Sequence, residues 1–253
     1  MNPNVVATWQ LSYVAVSFAI SVLGAFIALT AATRIRQQGR ISAFNTLAAG
    51  VALGGIGVWA MHFIGMLALH LDLATGYSIA ETAVSLLAAI AASSLALGFV
   101  ARAPKQLPRL LAAGALLGAG VVVMHYLGMF GMRFGGFIRW DLQIVALSAV
   151  IAVLAATAAL WLAFNTRTLG ARAAASVVMG VAVCAMHYTG MHAAEFVCTT
   201  ANRVASPAGD GILSALDLPA LVMAAALGMA ALTSIDQAFQ RVATAARPAR
   251  RAG

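Results

Sequence analysis

The stretches MHFIGM at residues 61–66, MHYLGM at 124–129 and MHYTGM at 186–191 repeat one pattern, Met-His-aromatic-x-Gly-Met, at intervals of 63 and 62 residues. Imidazole and thioether together form a set of borderline and soft donors, which suits copper, above all Cu(I), and poorly suits magnesium or calcium. Zinc fits less well, because its structural sites use thiolates or several imidazoles and rarely thioethers. His62, His125 and His187 are the primary ligand candidates, followed by Met66, Met129 and Met191, with Cys184 as an extra candidate. Copper takes few ligands, so not all of these donors can bind one ion; two ions, or one ion and a pathway, would also fit. The alternative is a hydrogen-bonded histidine cluster that holds the protein together without metal.

A helix advances about 100° per residue, so each motif histidine and the methionine four later share a face. That face continues backwards as Gly55, Trp59, His62, Met66; Gly118, Val122, His125, Met129; and Gly180, Cys184, His187, Met191. The leading Met61, Met124 and Met186 lie beside it, alongside Gly65, Gly128 and Gly190. The missing side chains there are expected to admit the backbone of a neighbouring helix.

The elements that position these residues follow from composition. Apolar residues make up 62% of the chain and charged residues 9%, far from the balance of a soluble domain. Continuous apolar runs of bilayer-spanning length, about 20 residues each, cover roughly 8–33, 42–69, 78–101, 110–132, 142–165, 173–197 and 218–239. The expected fold is an all-α, polytopic membrane protein of seven transmembrane helices, built from three parallel two-helix repeats (8–70, 71–132, 133–198) plus a seventh helix (218–240). The motif lies on helices 2, 4 and 6, which therefore run in one direction around an axis along the membrane normal.

Twelve basic residues follow helices 1, 3, 5 and 7: Arg34, Arg36, Arg40, Arg102, Lys105, Arg109, Arg167, Arg172, Arg241, Arg247, Arg250 and Arg251. The other connections hold three, Arg133, Arg139 and Arg203. The positive-inside rule puts the amino terminus and the motifs outside, and the basic tail 241–253 in the cytoplasm. The first residues, MNPNVVATWQ, lack the basic region of a cleavable signal peptide, so helix 1 is expected to be retained. The net charge of +8 thus marks topology rather than nucleic-acid binding.

His70 and His192 read as solvated loop histidines, Trp9 and Trp140 as interfacial anchors, and Trp59 as a roof over the site. Cys184 and Cys198, read as lying on one helix, stand about 21 Å apart and cannot pair. Residues 199–217 read as an outer turn or flap.

Three such motifs on alternate helices of a seven-helix bundle resemble the MHYT domain, a bacterial integral-membrane sensor domain, whose name is nearly spelled by Met186 to Thr189. The resemblance covers residues 8–240. It implies copper ligation by Met61, His62, Met66, Met124, His125, Met129, Met186, His187 and Met191, and sensing of a diatomic gas such as oxygen, CO or NO, or of redox state. It also implies cytoplasmic output, here expected through a separate signalling partner. Phe63 departs from the pattern, removing a tyrosine hydroxyl that is expected to face a bound ligand.

Competing readings are copper or proton transport, and haem held by two histidines. The inner halves of helices 2, 4 and 6 hold Ala, Leu, Val and Gly, which argues against a conduit. Retinal is excluded by Lys105, the single lysine, which sits in a loop. No carboxylate pair, activated nucleophile or nucleotide loop points to an enzyme.

Overall fold

The structure, a computed structural model, describes residues 5–37 and 39–246. Seven helices are long and apolar enough to cross a membrane: α1 Leu11–Ala32, α2 Ala43–Met66, α3 Ile79–Arg102, α4 Leu107–Phe130, α5 Leu142–Asn165, α6 Leu169–His192 and α7 Leu218–Ala246. The protein is a multi-pass membrane protein. Large apolar side chains such as Leu87, Leu95, Leu154 and Phe239 point away from the bundle, where a bilayer would meet them.

Side-chain caps start several helices. Ser42 accepts from the Asn45 amide at α2, Asp141 from the amides of Gln143 and Ile144 at α5, and Thr168 from the Ala171 amide at α6. Each cap satisfies amide groups that the first helical turn leaves open. Pro108 occupies the first turn of α4, where its missing N–H costs nothing.

Helix α2 is the centre of the bundle: 83% of its spanning window is buried, against 22–56% for the other six. It packs on α1, α3 and α7. Its middle, Val51–Ala60, is π-helical, between α-helical segments Ala43–Gly50 and Met61–Met66. A π segment is rare and marks functional places in helices.

Short strands cap the end of the bundle where α2, α4 and α6 finish. β1 (Ala7–Trp9) pairs with β4 (Leu69–Leu71). β5 (Gly76–Ser78) lies between β6 (Met132–Arg133) and β9 (Ile212–Ser214). β7 (Gly136–Trp140) pairs with β8 (Ala194–Cys198). At the opposite, basic end, Arg36–Gln37 and Arg40–Ile41 form a hairpin, with Gly39 at φ +78° in the turn.

These strands correct two expectations. The sixth span stops at His192 rather than Val197, so Cys184 and Cys198 do not share a helix. Phe196 and Val197 favour extended backbone, and the strand they belong to pairs antiparallel with β7. Residues 199–217 are turns and irregular chain, as expected, apart from β9, which joins the sheet of β5. Helix α7 runs on to Ala246, past the expected start of the tail at 241. Arg247, Arg250 and Arg251, and the first four residues of the amino-terminal reading, lie outside the described residues.

Candidate metal centre

The three motif helices bring His62, His125 and His187 together in the buried interior, each at most 1% exposed. One ring nitrogen from each lies within 4.8 Å of the others. His62 Nδ1 is 3.1 Å from His125 Nδ1 and 3.2 Å from His187 Nδ1. The rings stand nearly perpendicular, at 73°, 87° and 85°, with centroids 4.8, 5.1 and 5.3 Å apart. Such separations leave no gap for a haem macrocycle between any two of them.

The motif glycines explain how three imidazoles fit at one level. A Cβ on Gly128 would come within 2.3 Å of His62 Nε2, one on Gly190 within 2.3 Å of His125 Nε2, and one on Gly65 within 2.4 Å of His187 Nε2. Each glycine therefore admits an imidazole from another repeat, and not the helix backbone expected from the sequence. The contacts run in a closed cycle through all three repeats. The backbones of Gly190 and Gly65 lie close enough to interact with His125 and His187. Even so, none of the three Nε2 atoms has a hydrogen-bond partner.

This donor set suits a cation. A neutral imidazole has one N–H and one lone pair, so the single in-plane position on His62 Nδ1 cannot fully serve both facing nitrogens. A metal ion accepts a lone pair from each of three converging nitrogens at once, and imidazole is a good ligand for copper. The residues present fit copper.

All six motif methionines are buried. Met66, Met129 and Met191 follow their histidines by one helical turn, about 6 Å along the axis toward the capped end. Met66 and Met129 line clefts that open there, whereas Met186 lines an apolar hollow with Met179 and Leu117. Cys184 is half-buried in α6, one turn before His187, and Cys198 is buried in β8; both are free thiols.

The tyrosine hydroxyls do not face the imidazoles. Tyr126 bonds Ser148 on α5 at 2.7 Å, and Tyr188 bonds Ser17 on α1 at 2.8 Å. In the first repeat, Phe63 has no hydroxyl, and Trp59 Nε1 instead donates to Ser85 and to the Thr82 carbonyl on α3, both at 3.1 Å. Trp59 is thus a strut to α3, with its ring 5.2 Å from Phe63, and not a roof. Sequence reasoning missed Ser17, Ser85 and Ser148. The signal was partial: each serine sits on an unmarked span, but only Ser85 and Ser148 keep the motif's period.

Around the rim, His70 and His192 are exposed; the His192 ring lies 5.6 Å from Trp9, whose other neighbour is Tyr188. Trp140 packs on Tyr126, with centroids 5.2 Å apart. The three basic residues at the capped end are each paired with a carboxylate: Arg133 with Glu81, Arg139 with Glu195, and Arg203 with Asp72. The Glu195 carboxylate raises the pKa of the exposed Arg139 guanidinium. Burial pushes the Tyr77 phenol, beside Phe63, above its ordinary range.

A family model described as MHYT, bacterial signalling protein N-terminal repeat, matches residues 55–113 and 118–176. Over 207 residues, 78% of this chain, the sequence is 38% identical to the bifunctional diguanylate cyclase/cyclic di-GMP phosphodiesterase MucR of Pseudomonas aeruginosa, covering 30% of that protein. It is 35% identical to the cyclic di-GMP phosphodiesterase NbdA of the same organism, over 74% of this chain and 24% of that one. Identity to the signalling protein YkoW of Bacillus subtilis is 28%, over 75% and 24%. The match thus spans less than a third of each of these relatives. No solved structure matches the chain.

Proposed function

The chain belongs to the MHYT family of membrane signalling proteins, and from that premise we propose that it is a copper-dependent sensor of a diatomic gas or of redox state. The observation that carries the reading is the ring of His62, His125 and His187, with converging Nδ1 atoms and no partner on any Nε2. In this reading the three imidazoles hold the ion. Met66, Met129 and Met191 supply the soft donors toward the capped end, and Met61, Met124 and Met186 complete the thioether surroundings. Copper, when bound, supplies a redox-active centre with affinity for small ligands such as oxygen, CO or NO. The burial of the ring excludes water, and the glycine cradles fix the imidazoles so that a change in one is felt by the other two.

A signal requires two bundle states that bind the ligand differently. The route to the basic end that the contacts favour starts at His62, because α2 is the motif helix packed on α7. Near the basic end, Gln237 Nε2 of α7 donates to the Ile27 carbonyl of α1, and Gln240 Nε2 donates to Asn45 Oδ1 of α2. Arg34 Nη1 donates to the Gln237 carbonyl. Movement of α2 therefore reaches α7 through side chains already bonded to it. The reading includes a bacterial inner-membrane location with the capped end outside. The excess of basic residues at the opposite end supports this, as does the pairing of Arg133, Arg139 and Arg203 with carboxylates. The output is a cytoplasmic signalling partner, and the described domain itself is no enzyme.

The test is the metal content of the purified protein beside His125→Ala and Met129→Ala. Copper retained by the wild type, lost by His125→Ala and weakened by Met129→Ala is the expected result. A copper-free wild type loaded under reducing conditions, or an intense Soret band, overturns the reading.

A further inference from the structure

Met132 is a methionine that the motif does not use. It follows α4, is 7% exposed, and is held in β6 opposite Tyr77 of β5. Two clefts at the capped end share it. One, of about 700 Å³, is also lined by Met129; the other, of about 430 Å³, by Met66 and His70. Met132 thus lines both a cleft that holds the Met129 thioether and a cleft that holds the Met66 thioether and the exposed His70 imidazole. Ordered by burial, the soft donors are the exposed His70, Met132 at 7%, then Met66 and Met129 at no more than 1%, with the imidazoles of His62 and His125 one helical turn from these last two.

Thioethers select soft monovalent copper. They are uncharged and need not lose a proton to ligate, so they can release an ion to a stronger nitrogen set without titration. Arg133 lines the larger cleft, but its guanidinium is tied to Glu81, so it does not present an uncompensated charge to an approaching cation.

We propose that Met132 is an outer thioether that takes Cu(I) from solution at the capped end and passes it, by way of Met66 or Met129, to the buried imidazoles. The transfer is a ligand exchange: a sulfur–copper contact breaks as a nitrogen–copper contact forms, and the ion stays monovalent. The inference rests on the copper reading of the histidine ring and assigns that ring its loading port.

The full chain in detergent, offered Cu(I) from a coloured chelator, separates the two claims. Met132→Leu keeps the volume of the side chain and removes the sulfur. Its expected behaviour is slower loading with the same final copper content as the wild type. His125→Ala, by contrast, loses the final content. Loading of Met132→Leu at the wild-type rate overturns the port and leaves the ring reading standing, whereas a wild type that takes up no copper overturns both. A second measurement needs no variant. Ag(I), a redox-inert stand-in for Cu(I), is expected to shield Met132 from oxidation by hydrogen peroxide, read as sulfoxide by mass spectrometry. Equal oxidation with and without silver overturns the port.

Discussion

The first repeat and the other two are alike at the imidazoles and unlike everywhere around them. All three set an imidazole against a glycine at 2.3–2.4 Å from where a Cβ would stand. Outward from there, repeats two and three brace their motif helix with a tyrosine-to-serine bond, while repeat one uses Trp59 on α2 and carries Phe63 in the tyrosine's place. The glycines one layer deeper diverge too. A Cβ on Gly118 or Gly180 would meet Val153 or Val22 of the neighbouring unmarked helix, whereas one on Gly55 would meet Met229 Sδ of α7 at 2.6 Å. In repeat one the close approach to α3 falls on Gly54, against Ala89, one position earlier. The difference teaches where the symmetry ends. The three repeats are equal at the imidazoles, and the seventh helix, packed on the first motif helix, breaks that equality around them.

The largest effect should come from the part the repeats share. Gly65→Ala, Gly128→Ala and Gly190→Ala each force a methyl group into an imidazole, an overpacking of about 3 kcal/mol or more. The three losses of thermal stability in detergent should be equal within error, and one tolerated substitution would break the closed cycle. Next, Trp59→Phe removes a bond and leaves a void in the most buried helix, for about 2–3 kcal/mol. Tyr126→Phe and Tyr188→Phe remove one interhelical bond each, about 0.6 kcal/mol. Denaturation midpoints that ranked Trp59→Phe with the tyrosine variants would erase the asymmetry. The smallest effect at neutral pH belongs to Tyr77, whose folded pKa is raised by burial. Its contribution is present in full below the unfolded phenol pKa of about 10 and is lost as pH rises from there through the folded value. Wild type should therefore lose stability in alkali faster than Tyr77→Phe, measured by thermal melts across that range.

Much of this was legible in the sequence, for identifiable reasons. Hydropathy revealed the seven spans because each apolar run matches a bilayer, and the spacing of 63 and 62 residues put the three histidines on parallel helices. The strands were hidden because Phe196 and Val197 extend an apolar run without interruption, and hydropathy does not distinguish helix from extended chain. Gly65, Gly128 and Gly190 were recognised as points of close approach, but their partner was misjudged, since helical spacing fixes a face and not what it meets. The same limit applied to the tyrosines, which turn toward serines on the flanking helices. Nothing in the residues of 51–60 announced a π segment; its trace is the one-place slip from Gly55 to Gly54 against α3.

That π segment has a mechanical consequence. Its residues bond at i→i+5, whereas the α-helical turns on either side bond at i→i+4. Exchanging one register for the other swivels Met61–Met66 about the helix axis while Asn45, held by Gln240, keeps the opposite end still. In the central helix a change of register in the middle would turn the imidazole-bearing end about its own axis without tilting it.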